Sequence, residues 1–100
     1  MVAPPLQGPL KSTPLHSLRD VLAYNVRAYR VQRGLSQEKL GFAAELDRTF
    51  ISQVERARVN VSVDNIEKLA RSLEVDPSSL LARPEKAKKR KSATEGKIAK

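Results

Sequence analysis

Between Leu18 and Leu81 apolar residues recur at three- and four-residue steps, and nowhere do they alternate with polar ones over a strand-length run. The pattern predicts helices and no sheet. Leu18, Leu22, Val26 and Tyr29 form one apolar face that Gly34 can close, which places a first helix over 18–33. Ser36 is suited to cap a second helix, with Glu38 in its positive first turn and Leu40, Ala43 and Ala44 as its inward stripe. After Glu45 and Leu46, Asp47 offers the cap of a third helix, in which Ile51, Val54 and Arg58 follow at helical spacing with Phe50 on a flank. Ser62 precedes Val63, Ile66, Leu69, Ala70 and Leu73, a fourth helix. Asp76-Pro77 starts a short fifth carrying Leu80 and Leu81, because proline is favoured at the first helical position. The expected fold class is all-α, a compact bundle of five short helices.

The flanks read differently. Val2 to Pro14 holds four prolines and little periodicity, and Glu85 to Lys100 has almost no apolar content. Neither can repay its ordering entropy by burial. The expected organisation is a disordered leader over 1–17, a folded domain over 18–83 and a flexible basic tail over 84–100. The net charge of +8 divides among them as +1, +2 and +5, so the excess belongs mainly to the tail and its Lys88-Lys89-Arg90-Lys91 cluster. A charge of this sign suits a polyanionic partner.

With no Cys, thiolate metal sites and disulfides are excluded, and the single His16 lies in the Pro-containing leader. No enzymatic constellation, cofactor site or metal site is expected. No run reaches the length of a membrane span and the leader does not resemble a secretory signal, so a cytoplasmic, nucleoid-associated protein is expected.

One segment carries specific spacing. Counting Gln37 as the first position, Leu40, Ala44, Leu46, Ile51 and Val54 fall at positions four, eight, ten, fifteen and eighteen. Small or apolar residues there let one short helix brace a second across a tight turn, the requirement of a helix-turn-helix. On the third helix, the 3.6-residue repeat sets Ile51, Val54 and Glu55 inward and Thr49, Ser52, Gln53 and Arg56 outward.

The runs Arg30-Val-Gln-Arg-Gly-Leu-Ser-Gln-Glu-Lys-Leu, Arg48-Thr-Phe-Ile-Ser-Gln-Val-Glu-Arg and Ile66-Glu-Lys-Leu-Ala-Arg-Ser-Leu-Glu-Val-Asp-Pro resemble the phage-repressor (Cro/C1, or Xre) family, over about Leu22 to Leu81. Asp47-Arg-Thr-Phe-Ile-Ser is most similar to restriction-modification controller proteins within it. The resemblance implies a lambda-repressor-like DNA-binding domain. Three positions depart from the family pattern. Glu45 and Ala57 stand where the family usually has Gly, and Asn60-Val61 replaces the usual Asn-Pro. If Glu45 takes a left-handed conformation the expected penalty is roughly 1 kcal/mol.

A short-chained polar face can enter the major groove, where Gln bonds adenine bidentately, Thr touches a thymine methyl and Arg reaches guanine. Arg48, Thr49, Ser52 and Gln53 are therefore the base-reading candidates. Gln37, at a helix start where backbone N–H groups point outward, is a phosphate candidate that the resemblance also implies. Arg27, Arg56, Arg58 and Asn60 are further phosphate candidates. A carboxylate on the inner side of the third helix needs a partner, and Arg30 matches the family's buried ion pair with Glu55. Phe50 is open between core packing and the sugar-phosphate backbone, while Tyr24 and Tyr29 read as packing residues. One recognition helix reads few bases, so a homodimer on a palindromic operator in double-stranded DNA is expected, with Val75, Leu80 and Leu81 either forming its interface or closing the monomer core. The leading function is sequence-specific transcription regulation. Two alternatives are an antitoxin that also binds a toxin, and a coactivator-like module that binds nucleic acid non-specifically; a contact with RNA polymerase is a further candidate partnership.

Overall fold

A computed structural model of the chain describes residues 15–84, together with Leu6 and Gly8. The basic tail from Glu85 and most of the leader lie outside the described residues. Five helices are present, α1 (Leu18–Gln32), α2 (Gln37–Ala44), α3 (Arg48–Glu55), α4 (Val63–Leu73) and α5 (Pro77–Leu80), and there is no strand among the described residues.

Each helix begins on a side chain that accepts an otherwise orphaned backbone N–H: Ser17, Ser36, Asp47, Ser62 and Asp76. At α1 the arrangement is reciprocal. The Ser17 hydroxyl accepts from the Asp20 N–H at 3.1 Å, and the Asp20 carboxylate accepts from the N–H groups of Ser17 and His16, each at 3.1 Å. These donors, Ser17 first, hold the Asp20 carboxyl below its ordinary value; the Ser78 hydroxyl and then the Ser78 N–H do the same for Asp76.

The first four helices also end alike, on a residue in the left-handed region: Gly34, Glu45, Ala57 and Glu74, at φ of 71°, 58°, 58° and 60°. In each case the paired hydrogen bonds of a Schellman motif close the end, as in Leu46 N–H to Gly41 C=O at 2.8 Å and Arg58 N–H to Gln53 C=O at 3.0 Å. Helix α3 thus stops at Glu55, three residues short of the expected Arg58, because Ala57 reverses the chain even without being glycine.

α3 packs on α1 and α2, α4 packs on α2 and α5, and α5 returns to α1. Leu40, Ile51, Val54, Leu69 and Leu73 meet at the centre with Val26 and Leu80, all essentially without exposure. Two residues expected inward are not. Leu18 is 57% exposed, since the packed face of α1 begins a turn later at Val21 and Leu22. Ala43 is exposed because α2 buries Leu40, Gly41 and Ala44, leaving Ala43 beyond the edge of that face.

Leu80 corrects a second expectation. It is wholly buried within one chain, so it closes the monomer core and presents no surface to a second copy. Val75 is partly buried against the same core, and of the three residues only Leu81 is exposed. A buried Asn25 on α1 fixes this end: both hydrogens of its amide are donated, to the Leu80 and Ala82 carbonyls at 2.8 Å each. Arg83 then donates to the Leu15 carbonyl at 2.6 Å, so the folded unit extends ahead of Leu18.

Candidate nucleic-acid interface

Helix α3 is held from below. Ile51 and Val54 are buried in the core, and Glu55 on the same side forms a bidentate pair with Arg30 of α1, at 2.6 Å from Nε to Oε2 and 3.0 Å from Nη2 to Oε1. Burial on this scale would leave an unpaired charge very costly, and every remaining donor is used. Arg30 Nη1 donates to the Leu35 carbonyl at 2.8 Å, and the Gln37 amide donates to Glu55 Oε1 at 3.1 Å. The network ties α1, α2 and α3 together, and no buried side-chain polar atom among the described residues is left without a partner.

The turn between α2 and α3 depends on a residue that the spacing argument passed over. A Cβ on Gly41 would lie 2.6 Å from the Leu46 carbonyl oxygen and 3.4 Å from the Arg48 nitrogen. Only a glycine lets α2 approach the start of α3 this closely. An isolated Gly inside a helical run was the available signal, since it weakens a helix unless close packing requires it. Asn25 was passed over as well. Its place between Leu22 and Val26 marks an inward polar group, but its partners, 55 and 57 residues away, leave no trace in local pattern.

With the inner side fixed, the outer side of α3 presents Arg48, Thr49, Gln53 and Arg56, all exposed, with Ser52 half-buried between them. Asp47 caps the helix through the Thr49 N–H at 3.2 Å, which sets the first turn while leaving the Thr49 and Arg48 side chains outward. The chain beyond α3 adds exposed Arg58 and Asn60. The base-reading and phosphate candidates around α3 therefore lie on one continuous stretch, Arg48 to Asn60. Two phosphate candidates stand differently. Gln37 is half-buried with its amide turned to Glu55, so its backbone N–H at the start of α2 is the outward donor. Arg27 is half-buried and already engaged within the protein. Phe50 is half-buried against the core, as are Tyr29 and Leu46, which settles it as a packing residue.

Arg48, Arg56 and Arg58 make the face cationic, and its short polar side chains can reach hydrogen-bonding edges in a groove. Among the described residues no cluster of three or more His, Cys, Asp or Glu side chains is placed to hold a metal ion, and no helix is long and apolar enough to cross a membrane.

Known proteins share this arrangement. The chain is 52% identical over 68 residues to a hypothetical transcription factor of Neisseria meningitidis, a match spanning 64% of that protein's length. It is 45% identical over 67 residues to the control protein C.BamHI of Bacillus amyloliquefaciens, covering 66% of this chain and 83% of the relative. Among solved structures, the Neisseria transcription factor NHTF superposes with a TM-score of 0.78 at 45% identity, over 85% of this chain and 98% of the other. The restriction-modification controller protein C.AhdI of Aeromonas hydrophila superposes with a TM-score of 0.61 at 42% identity, over 62% and 94%. The helix-turn-helix family model matches residues 26–80, which include the whole of α2, the Gly41 turn and α3. The chain belongs to the helix-turn-helix family of the Cro/C1 type, whose members are DNA-binding regulators and not enzymes.

Proposed function

We propose that this protein is a sequence-specific transcription regulator that binds a palindromic operator as a two-fold dimer, with α3 in the major groove of each half-site. The observation that carries the reading is the division of α3. Ile51, Val54 and Glu55 lock one side to the scaffold, so Arg48, Thr49 and Gln53 project from the other in fixed positions. Rigid placement is what base readout needs, because a bidentate contact discriminates only when its donor pair is pre-aimed. Arg48, Thr49, Ser52 and Gln53 read bases. Arg56, Arg58, Asn60 and the Gln37 N–H hold phosphates and set the register.

One α3 reads too few base pairs for useful selectivity, and two-fold pairing on half-sites one helical turn apart doubles the contact. Leu81, with the exposed rim of Val75, is the apolar surface for that pairing. The control-protein relatives add that the regulated genes are those of a restriction-modification system.

Selection of bound duplexes from a random pool tests the reading. The expected result is a palindrome in which Arg48→Ala and Gln53→Ala relax identifiable positions. Enrichment of no motif, or a motif unchanged in both variants, would remove α3 from recognition.

A further inference from the structure

The most exposed large apolar side chain among the described residues is Phe42, at 88%. It lies on α2, whose other side is fully used: Leu40 and Ala44 face the core and Gly41 abuts the turn. One residue on from Gly41 is a rotation of about 100°. Phe42 therefore stands on the flank of α2 beside the turn, next to the start of α3, and not on the far side of the molecule. A phenyl ring in water there contributes nothing to folding, and an exposed apolar group of this size marks a contact surface.

The neighbouring charges say what kind of contact. Glu38, four residues earlier and on the same flank, is exposed, and Glu45, three residues later, is exposed at the turn. Glu45 holds a left-handed conformation that Gly or Asn adopts more cheaply, so its carboxylate too is present without a folding advantage. Two carboxylates around a ring are repelled by DNA phosphates, so this flank does not bind the duplex that α3 enters. It fits a protein with an apolar pocket edged by lysine or arginine, lying on the DNA adjacent to the operator. For a transcription regulator the protein that must occupy that DNA is RNA polymerase. We infer that Phe42, flanked by Glu38 and Glu45, is the surface through which the DNA-bound protein recruits RNA polymerase, its ring entering the pocket and its carboxylates meeting the cationic rim. This rests on the reading of α3 as the groove helix.

The test uses the full chain, purified RNA polymerase holoenzyme and duplexes carrying the selected operator at graded spacings upstream of a promoter. Operator affinity and polymerase occupancy are read separately. The wild-type protein is expected to raise polymerase affinity at the productive spacing by a factor of about 5 to 150, the usual span of coupling between two sites. Phe42→Ala, a change at an exposed position, should keep operator affinity within about twofold while losing the rise in polymerase affinity. Glu38→Lys should likewise lose the rise while binding DNA at least as tightly.

An unchanged rise in Phe42→Ala overturns the inference, as does a wild-type protein that raises polymerase occupancy at no spacing. Loss of operator binding in Phe42→Ala makes the ring a DNA contact and overturns it too. If Phe42→Ala instead abolishes cooperative filling of two adjacent operators by the protein alone, the partner is a second copy of this chain and the inference is wrong. Failure to select any operator is the distinct result that defeats the reading of α3 itself.

Discussion

Arg30 and Glu55 meet through two parallel hydrogen bonds across 25 residues of sequence, with their side chains only 6% and 3% exposed. The pair joins the last turn of α1 to the last residue of α3, and so fixes the angle at which α3 leaves the scaffold. Desolvating both ions offsets much of their attraction, so the pair adds little net stability, but removing one partner leaves the other charged and buried. Glu55→Ala should lower unfolding free energy by about 3–5 kcal/mol, a large share of what a domain this small possesses. Urea denaturation checks it, and wild-type stability in Glu55→Ala would show that Arg30 finds solvent. Arg30→Met combined with Glu55→Leu should recover part of the loss, but not all, because the Leu35 carbonyl and the Gln37 amide lose their partners.

Glu45 and Ala57 occupy left-handed positions at φ 58°. Glycine there relieves about 1–2 kcal/mol of side-chain crowding. It also gives the unfolded chain more freedom, at a cost of about 0.4–1 kcal/mol. The balance favours the folded state, so Glu45→Gly and Ala57→Gly should each stabilise by about 0.5–1 kcal/mol. The two sites share no printed contact, so their effects should add. A fall in thermal midpoint for either would mean the carboxylate or methyl makes a contact worth more than the strain.

Gly41 poses the opposite case. Alanine improves intrinsic helix propensity by about 1 kcal/mol. Its methyl, however, would lie 2.6 Å from the Leu46 carbonyl oxygen, a backbone atom inside the turn that cannot rotate away. Crowding of this kind costs about 1–3 kcal/mol, so Gly41→Ala should be a net destabiliser. It should also weaken operator binding, since the strain is relieved by shifting the start of α3. Calorimetry and gel-shift titration separate the two effects.

How much of this was legible in the sequence follows from the range of the forces. Caps and helix starts depend on neighbours within four residues, so Ser36, Asp47, Ser62 and Asp76 could be read directly. The inward residues of α3 could be read because Ile51, Val54 and Glu55 follow one period. Helix ends were harder: the Glu45 and Ala57 reversals carry no glycine, and only packing holds them left-handed, so α3 seemed to run on to Arg58. Leu80 was ambiguous since an apolar residue closing a core and one forming an interface share the same pattern, and burial alone distinguishes them. The amide of Gln37 and the clamp of Asn25 arise from residues brought together by the fold, which no local spacing encodes.

The cap carboxylates make stability depend on acid. Asp20 is held below its ordinary value of 3.8 first by the Ser17 N–H, and Asp76 below 3.8 first by the Ser78 hydroxyl. A carboxyl with a depressed folded pKa stabilises above its unfolded value and loses that contribution as pH falls through the folded value. The thermal midpoint should therefore decline on acidification below about pH 5. Asp20→Asn with Asp76→Asn should flatten the decline, because Asn caps a helix as well as Asp but does not titrate. An identical pH profile in the double variant would assign acid sensitivity to other carboxylates.

Base and phosphate contacts are separable by salt. If Arg48 reads a guanine edge, Arg48→Ala should cost about 1–3 kcal/mol per half-site and relax one position of the motif, with little change in salt dependence beyond its own charge. If Arg58 holds a phosphate, Arg58→Ala should weaken all sequences alike and reduce the salt slope by about 1 per half-site. The segment Glu85–Lys100 carries +5 without any apolar pattern, so its removal should lower affinity for random duplex and the salt slope while the selected motif stays the same. Competition titrations at several salt concentrations, with operator and random duplex, read all three. Should the truncated chain lose its motif, specificity would lie in the tail, and the fixed outer face of α3 would be only scaffold.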